Sequence, residues 1–342
     1  MLKAIFYVLV LAAAALMLAA CTGQDATPIA QVKVGMVYAS GGKGDGSFND
    51  AAYAGLLKAE QEFGCKIMEV VPDENETDAG YEEILRRLAS SGYDPVIAVG
   101  YTYSAALDIV AREFPETTFA IIDSTVAGAN IASLVFAAEQ GSYLVGVIAA
   151  TVSKTGRIGF IGGMEIDLIK AFEAGYVQGA RSVNPDVVME SVFLGPVGDV
   201  TVWDVPEKAW NATEMMIAGG VDIVYAAAGA SGLGMIQAVK AAGGPDNGLW
   251  AIGVDTDQYN EPSLVMVRDV ILTSMIKRVD VAVYDVIKGV VAGSPLTGVQ
   301  NFDLLRDGVG YAASNPAVEP YKAAADAAAA QIKSGEITVN TQ

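Results

Sequence analysis

Apolar and polar positions follow two alternating rhythms along most of this chain. Short unbroken apolar runs, of the kind shown by strands buried on both faces of a parallel sheet, are separated by stretches where apolar residues recur at three- and four-residue spacing, as in amphipathic helices. The first unit is VGMVYASGGKGDGSFNDAAYAGLLKAE, residues 34–60. It has an apolar run with Val34, Met36 and Val37, a glycine-rich loop at 41–46, then Ala51, Ala52, Gly55, Leu56 and Ala59 at helical spacing. Ser47 reads as the N-cap, so Phe48 and Asn49 fall in the first helical turn. In open α/β sheets ligands lie outside the carboxyl ends of the strands, against helix N-termini, which points Phe48 and Asn49 toward a ligand.

The same rhythm predicts strands at 66–71, 95–99, 118–122 and 131–136, helices at 78–90 and 104–114, and a helix from Glu139 to about residue 150. Such alternation implies a parallel sheet with right-handed crossovers. It then restarts, with strands at 157–161, 187–193, 222–226 and 250–254 and helices at 168–180, 207–218 and 232–241, predicting a second sheet. The segments 270–275, 278–291 and 320–333 complete either lobe. Residues 32–136 with about 256–300 are assigned to one lobe and 137–255 with about 301–342 to the other, joined by hinge crossings near Phe136 and Val254. A ligand pocket is expected in the cleft between two such lobes.

The ends and the composition narrow the setting. Residues 1–20 carry Lys3 and then an apolar run ending in Leu18-Ala19-Ala20 before Cys21, the pattern of a secretory signal peptide with a lipoprotein box. Cys21 becomes the lipidated first residue and 22–31 a polar tether; the alternative, a membrane-spanning helix, needs a longer stretch. Of 342 residues, 322 remain after removal of the first 20, more than one core usually holds. The chain has 21 basic and 40 acidic residues, and loss of Lys3 takes the net charge from −19 to −20, which disfavours nucleic acid and anionic lipid as partners. With Cys21 acylated, Cys65 has no partner for a disulfide. The chain has no histidine, which removes His-based triads, His bases and the ordinary zinc sites.

The glycine loop is not a phosphate cradle by its spacing, since Ser47-Phe48 stands where a P-loop needs Lys-Ser/Thr and no G-x-G-x-x-G register fits. Asp45 and Asp50 beside it would repel a phosphate, so a neutral ligand with hydroxyls or ring nitrogens suits the site better. Three strand ends in the later half stand out. The loop from Gly229 to Gly234 opens a helix and either points backbone N–H groups at a ligand oxygen or forms a tight turn. Asp255 leaves a buried strand and either accepts from two adjacent hydroxyls, as in ribose, or caps the next helix. Lys277 ends an apolar strand, where it donates to sugar oxygens, neutralises Asp255 or sits solvated at a helix start. Trp203 lies between a strand and a helix, a position for either a stacking platform or core packing.

At this point several segments resemble a family. GDGSFND, EQGSYLVG, GRIGFIGGMEIDLIKAFEAGY, AAAGASGLG, GVDTDQ and LTSMIKRVDVAVY, spread in order from about Val32 to Tyr311, are similar to the basic membrane protein family. Its members are purine nucleoside receptors, the lipoprotein substrate-binding components of ABC importers. The resemblance implies the α/β type I periplasmic-binding-protein fold, two Rossmann-like lobes with parallel sheets joined by three crossings. It implies a binding protein rather than an enzyme, without cofactor or metal. The implied partners are a nucleoside, the permease and ATPase subunits and, through the lipid anchor, a membrane outside the cytoplasm. Residue by residue, Phe48 matches the aromatic that stacks on one face of the purine and Asn49 its neighbour at the base edge. Trp203 matches the aromatic on the opposite face and Asp123 a polar base contact. Gly229 matches a backbone near the ribose, Asp255 the carboxylate that holds its hydroxyls, and Lys277 the lysine beside that carboxylate. Tyr38-Ala39 stands where the family usually has Thr-Asp, a carboxylate that reads the base, so the base stays open. A free base, a pyrimidine nucleoside or a sugar-like ligand are alternatives. So is a nucleoside hydrolase, on the fragment Asp255-Thr256-Asp257.

Overall fold

The computed structural model describes residues 31–73 and 76–342; the expected signal peptide, Cys21 and residues 22–30 of the tether lie outside them. The chain first runs β1 (Lys33–Val37), α1 (Phe48–Phe63), β2 (Lys66–Val70), α2 (Asp78–Ser90), β3 (Val96–Ala98), α3 (Ser104–Glu113), β4 (Phe119–Ile122) and β5 (Ile131–Phe136). It continues α4 (Ala138–Val152), β6 (Arg157–Met164), α5 (Asp167–Val183), β7 (Val188–Gly195), α6 (Pro206–Ala218), β8 (Ile223–Ala227), α7 (Gly232–Ala241), β9 (Trp250–Asp255) and β10 (Ile271–Lys277). It closes with α8 (Val279–Val291), β11 (Gly298–Phe302), β12 (Val309–Tyr311) and α9 (Lys322–Lys333).

These strands form two six-stranded sheets, ordered β11-β5-β4-β3-β1-β2 and β12-β10-β9-β8-β6-β7. All neighbours are parallel except β12, which runs antiparallel to β10. The inner strands β4 and β8 are buried along their whole length, as expected for strands with helices on both faces, whereas the edge strands β2, β7 and β11 show mixed exposure. Each sheet is sandwiched between two apolar clusters. One face of the first holds Leu85, Val96 and Phe119, the other Val34, Leu56 and Ile97. The second has Phe160, Tyr176 and Tyr225 on one side and Ile161, Met235 and Ile236 on the other. Among the described residues no helix is long and apolar enough to cross a membrane.

Two expectations need correction. The segment 256–300 does not belong as a whole to the first lobe, because β10 pairs in register with β9, Ser274 beside Gly253 and Ile276 beside Asp255. Residues 256–277 are therefore part of the second lobe, and what returns to the first is α8, whose Val279, Val283 and Ile287 complete its core, together with β11, which pairs with β5. The crossing expected near Val254 accordingly lies after Lys277. The chain passes between sheets between β5 and α4, between β10 and α8, and between β11 and β12. The strands β11 and β12 have no counterpart in the sequence reading.

Candidate ligand-binding site

In both sheets the strand order reverses beside the first strand, between β1 and β3 and between β6 and β8, and the crevices outside these carboxyl ends face each other. The space between them amounts to about 810 Å³, part of it open to solvent. Phe48, Asn49, Asp123, Trp203, Gly229, Asp255 and Lys277 all line it.

The floor is ionic. Asp123 follows the end of β4, Asp255 is the last residue of β9 and Lys277 the last of β10. Lys277 Nζ donates to Asp123 Oδ2 across the lobe boundary and lies 3.7 Å from Asp255 Oδ1. The three side chains are 4–7% exposed. Burial alone would lower the Lys277 pKa, but the two carboxylates outweigh it and hold the ammonium above its ordinary value. Burial pushes Asp255 up, Asp123 adds to the rise, and Lys277 only partly opposes it. Asp123 Oδ1 and Asp255 Oδ1 are buried without a hydrogen-bond donor. Such acceptors are uncommon in a folded interior and cost about 1–3 kcal/mol each. The arrangement therefore offers two acceptor oxygens and a shared cation to a ligand carrying hydroxyls. The two alternatives drawn from the sequence fall away: Asp255 precedes a 3-10 turn at Pro262–Leu264 rather than a helix, and Lys277 is buried rather than solvated.

The walls are aromatic. The Phe48 ring lies 4.5 Å from Lys277 Nζ, with Phe136 and Phe172 at 5.3 and 5.7 Å. Trp203 stands on the other lobe in the 3-10 turn Val200–Asp204. Ser231 Oγ pins this turn by accepting from Val205 N–H and donating to Val202 C=O, both at 2.7 Å. The indole packs directly against Gly163, where an added Cβ would come within 2.2 Å of Cζ3, so β6 must be bare there for the ring to reach the cleft. Tyr81, Tyr101, Leu168 and Phe172 also line the space, and sequence reasoning passed over them. Only Tyr101 gave a local signal, an aromatic directly after Gly100 at a strand end. Its hydroxyl donates to Met164 Sδ of the opposite lobe at 3.4 Å.

The N-terminus of α1 differs from expectation in a way that matters for the ligand. Ser47 makes no capping hydrogen bond. Asp45 does the capping instead, its carboxylate accepting from the N–H groups of Ser47, Asn49 and Asp50 at 2.9, 2.8 and 3.1 Å. Asp50 in turn accepts from Gly44 and Gly46 N–H, both at 2.8 Å. The amides that a phosphate-binding loop would present are thus taken by the loop's own carboxylates. Asn49 Oδ1 accepts from Ala39 N–H at 3.0 Å, which orients the amide at the end of β1.

This architecture has counterparts among known proteins. A CD4+ T-cell-stimulating antigen of Listeria monocytogenes is 35% identical over 292 residues, 81% of this chain and 79% of its own length. The ABC transporter nucleoside-binding protein BmpA of Lactococcus lactis is 31% identical over 338 residues, 94% of each chain. The solved structure of an ABC transporter system solute-binding protein from Aeropyrum pernix K1 superposes with a TM-score of 0.79 at 28% identity, covering 91% of this chain and 94% of that one. The family model described as ABC transporter substrate-binding protein PnrA-like matches residues 32–342. With that match extending over both lobes and the cleft between them, this chain belongs to the Bmp family of ABC transporter substrate-binding proteins.

Proposed function

We propose that this protein captures a nucleoside, a purine nucleoside foremost, in the cleft and delivers it to an ABC permease while anchored outside the cytoplasm through Cys21. The observation that carries the reading is the pair of buried, donor-free oxygens, Asp123 Oδ1 and Asp255 Oδ1, flanking Lys277 beneath aromatic walls. A ribose diol supplies donors to such oxygens, and a flat base supplies a face to Phe48 and to Trp203. Lys277 donates to a sugar oxygen. The orientation of Asn49, with Oδ1 held by Ala39 N–H, leaves its amino group for the base edge. A free base would leave the acid floor without donors, and a free sugar would leave the aromatic walls uncovered. The nucleoside-binding name of the Lactococcus relative agrees with this reading. Asp257, the second acid of the hydrolase-like fragment, instead accepts from Asn260 Nδ2 at 2.7 Å and from Ser314, and does not line the cavity.

Mass spectrometry of the ligand retained through native purification, followed by calorimetric titration with inosine, adenosine, guanosine, cytidine, ribose and hypoxanthine, tests the reading. Expected is micromolar or tighter binding, about −8 kcal/mol or better, for purine nucleosides. Ribose or hypoxanthine binding as tightly would overturn it. Cys21→Ser is expected to release the protein from membranes with ligand binding intact, and membrane association surviving that change would remove the anchor.

A further inference from the structure

The lobes are also joined by hydrogen bonds that lie outside the ligand space. The backbone carbonyl of Gly46, on the first lobe, accepts from Thr256 Oγ1 at 2.8 Å and from Gln258 Nε2 at 2.9 Å, both on the second. Neither donor lines the cavity. Each side of this contact is fixed on its own lobe. Gln258 is 3% exposed; its Oε1 accepts from Val254 N–H and its N–H donates to Ser274 Oγ, both at 3.2 Å. The space it occupies exists because position 253 is glycine: a Cβ there would lie 2.2 Å from Gln258 Oε1 and 2.5 Å from Ser274 Oγ. On the other side, Asp45 accepts from Ser47 N–H, which shares a peptide plane with the Gly46 carbonyl, and Asp50 accepts from Gly46 N–H.

We infer that Thr256 and Gln258 form a closure latch on the Gly46 carbonyl, and that Gln258 is a positioning residue which sets how long the lobes stay closed without touching the ligand. The connection to binding follows from the chain itself. Thr256 comes directly after Asp255, and Gly46 lies two residues before Phe48, so the latch ties the loop with the acid to the loop with the aromatic. A ligand held by both residues favours the latched arrangement, and by reciprocity the latched arrangement holds the ligand more tightly.

Two substitutions separate the latch from the site. Gln258→Glu keeps the side-chain shape and an acceptor for Val254 N–H but removes the donor to Gly46. Thr256→Val removes the other donor at a partly buried position, and carries the test if the first variant is unstable. In stopped-flow measurements with inosine, each variant is expected to dissociate about five- to tenfold faster, the worth of one hydrogen bond, with association changed less than about twofold. Small-angle X-ray scattering of the ligand-free proteins is expected to give a larger radius of gyration for both variants than for the wild type. The kinetic arm rests on the nucleoside reading of the cleft and the scattering arm does not, so if inosine fails to bind the wild type, scattering alone decides. Unchanged dissociation together with unchanged radii overturns the latch. Slower association with unchanged dissociation also overturns it, since that marks a damaged site.

Discussion

In the first sheet the order β2-β1-β3-β4-β5 brings the ends of β1, β3 and β4 to the cleft, and in the second β7-β6-β8-β9-β10 brings the matching ends of β6, β8 and β9 to its other side. Corresponding strands β4 and β9 both lead into an aspartate, and both aspartates take left-handed backbone angles, φ 62° at Asp123 and 66° at Asp255. That conformation costs a residue with a Cβ on the order of 1 kcal/mol and persists only where the surroundings hold it. The other strand ends diverge. β10 ends in Lys277, where its counterpart in the other sheet, β5, ends in Phe136. Phe48 and Asn49 open α1, whereas the matching start of α5 gives Leu168 and Ile169. The indole of Trp203 comes from the β7–α6 connection, while none of the described residues in the matching β2–α2 connection lines the cavity. What the lobes share is the acid at the floor; what separates them is everything that gives the cleft a polarity, a single cation and aromatics that come from unlike positions on the two sides.

The widest break in this comparison is expected from Lys277, which a single lobe supplies to both acids. Lys277→Met leaves two buried carboxylates without their cation and is expected to destabilise the protein by about 3–5 kcal/mol in urea unfolding. Adding Asp123→Asn should recover a large part of that loss; no recovery would mean that the charge balance is not what Lys277 supplies. Next come the walls. Phe48→Ala and Trp203→Ala are each expected to weaken nucleoside binding by about 1–3 kcal/mol in calorimetry. Gly163→Ala should mimic Trp203→Ala by displacing the indole while Phe48 stays in place. If Gly163→Ala binds like wild type, the second lobe's aromatic is not a wall of the site.

The shared acids are sharpened by a sugar comparison. A 2′-deoxynucleoside is expected to bind about 1–3 kcal/mol more weakly than the ribonucleoside, and Asp255→Ala to erase most of that gap; the original ratio in the variant would move the diol away from Asp255. The smallest expected effect is at Ala39, at the end of β1 beside Phe48 and Gly100. Ala39→Asp offers an acceptor to the ring N–H of inosine and guanosine, and repels the bare ring nitrogen of adenosine. Preference should move toward the former by about 1–2 kcal/mol. An unchanged adenosine-to-inosine ratio would place Ala39 outside the base edge.

Much of this was legible in the sequence because strands covered on both faces, such as β4 and β8, write themselves as apolar runs. β11 escaped for the opposite reason: it is an exposed edge strand, Gly298-Val299-Gln300-Asn301-Phe302, with only Phe302 buried. The sheet to which β10 belongs is a matter of pairing rather than of local pattern, so the local pattern places the second hinge one strand too early. Ser47 does stand at the N-cap position of α1, but the first-turn amides bond to the Asp45 carboxylate rather than to its hydroxyl, a choice that only geometry reveals because serine and aspartate serve equally well as acceptors there. The sequence sets Lys277 beside Asp255, yet its direct bond reaches Asp123 on the other lobe, a contact between residues more than 150 positions apart. Phe172 gave no local signal either, since an aromatic on the buried stripe of α5 looks like any core residue until the opposite lobe is in place.

The return of α8 and β11 to the first sheet means that this lobe is not a contiguous length of chain. As the polypeptide emerges from its N-terminus, the surface of α1 that packs on α8 has nothing to cover it until residue 291 has appeared, and the edge of β5 stays open until residue 302. By then β6 to β10 of the other lobe have all emerged. The lobe that begins first is therefore finished only after most of its partner has been delivered, which couples their maturation and leaves its apolar face in need of shielding for most of the chain's emergence.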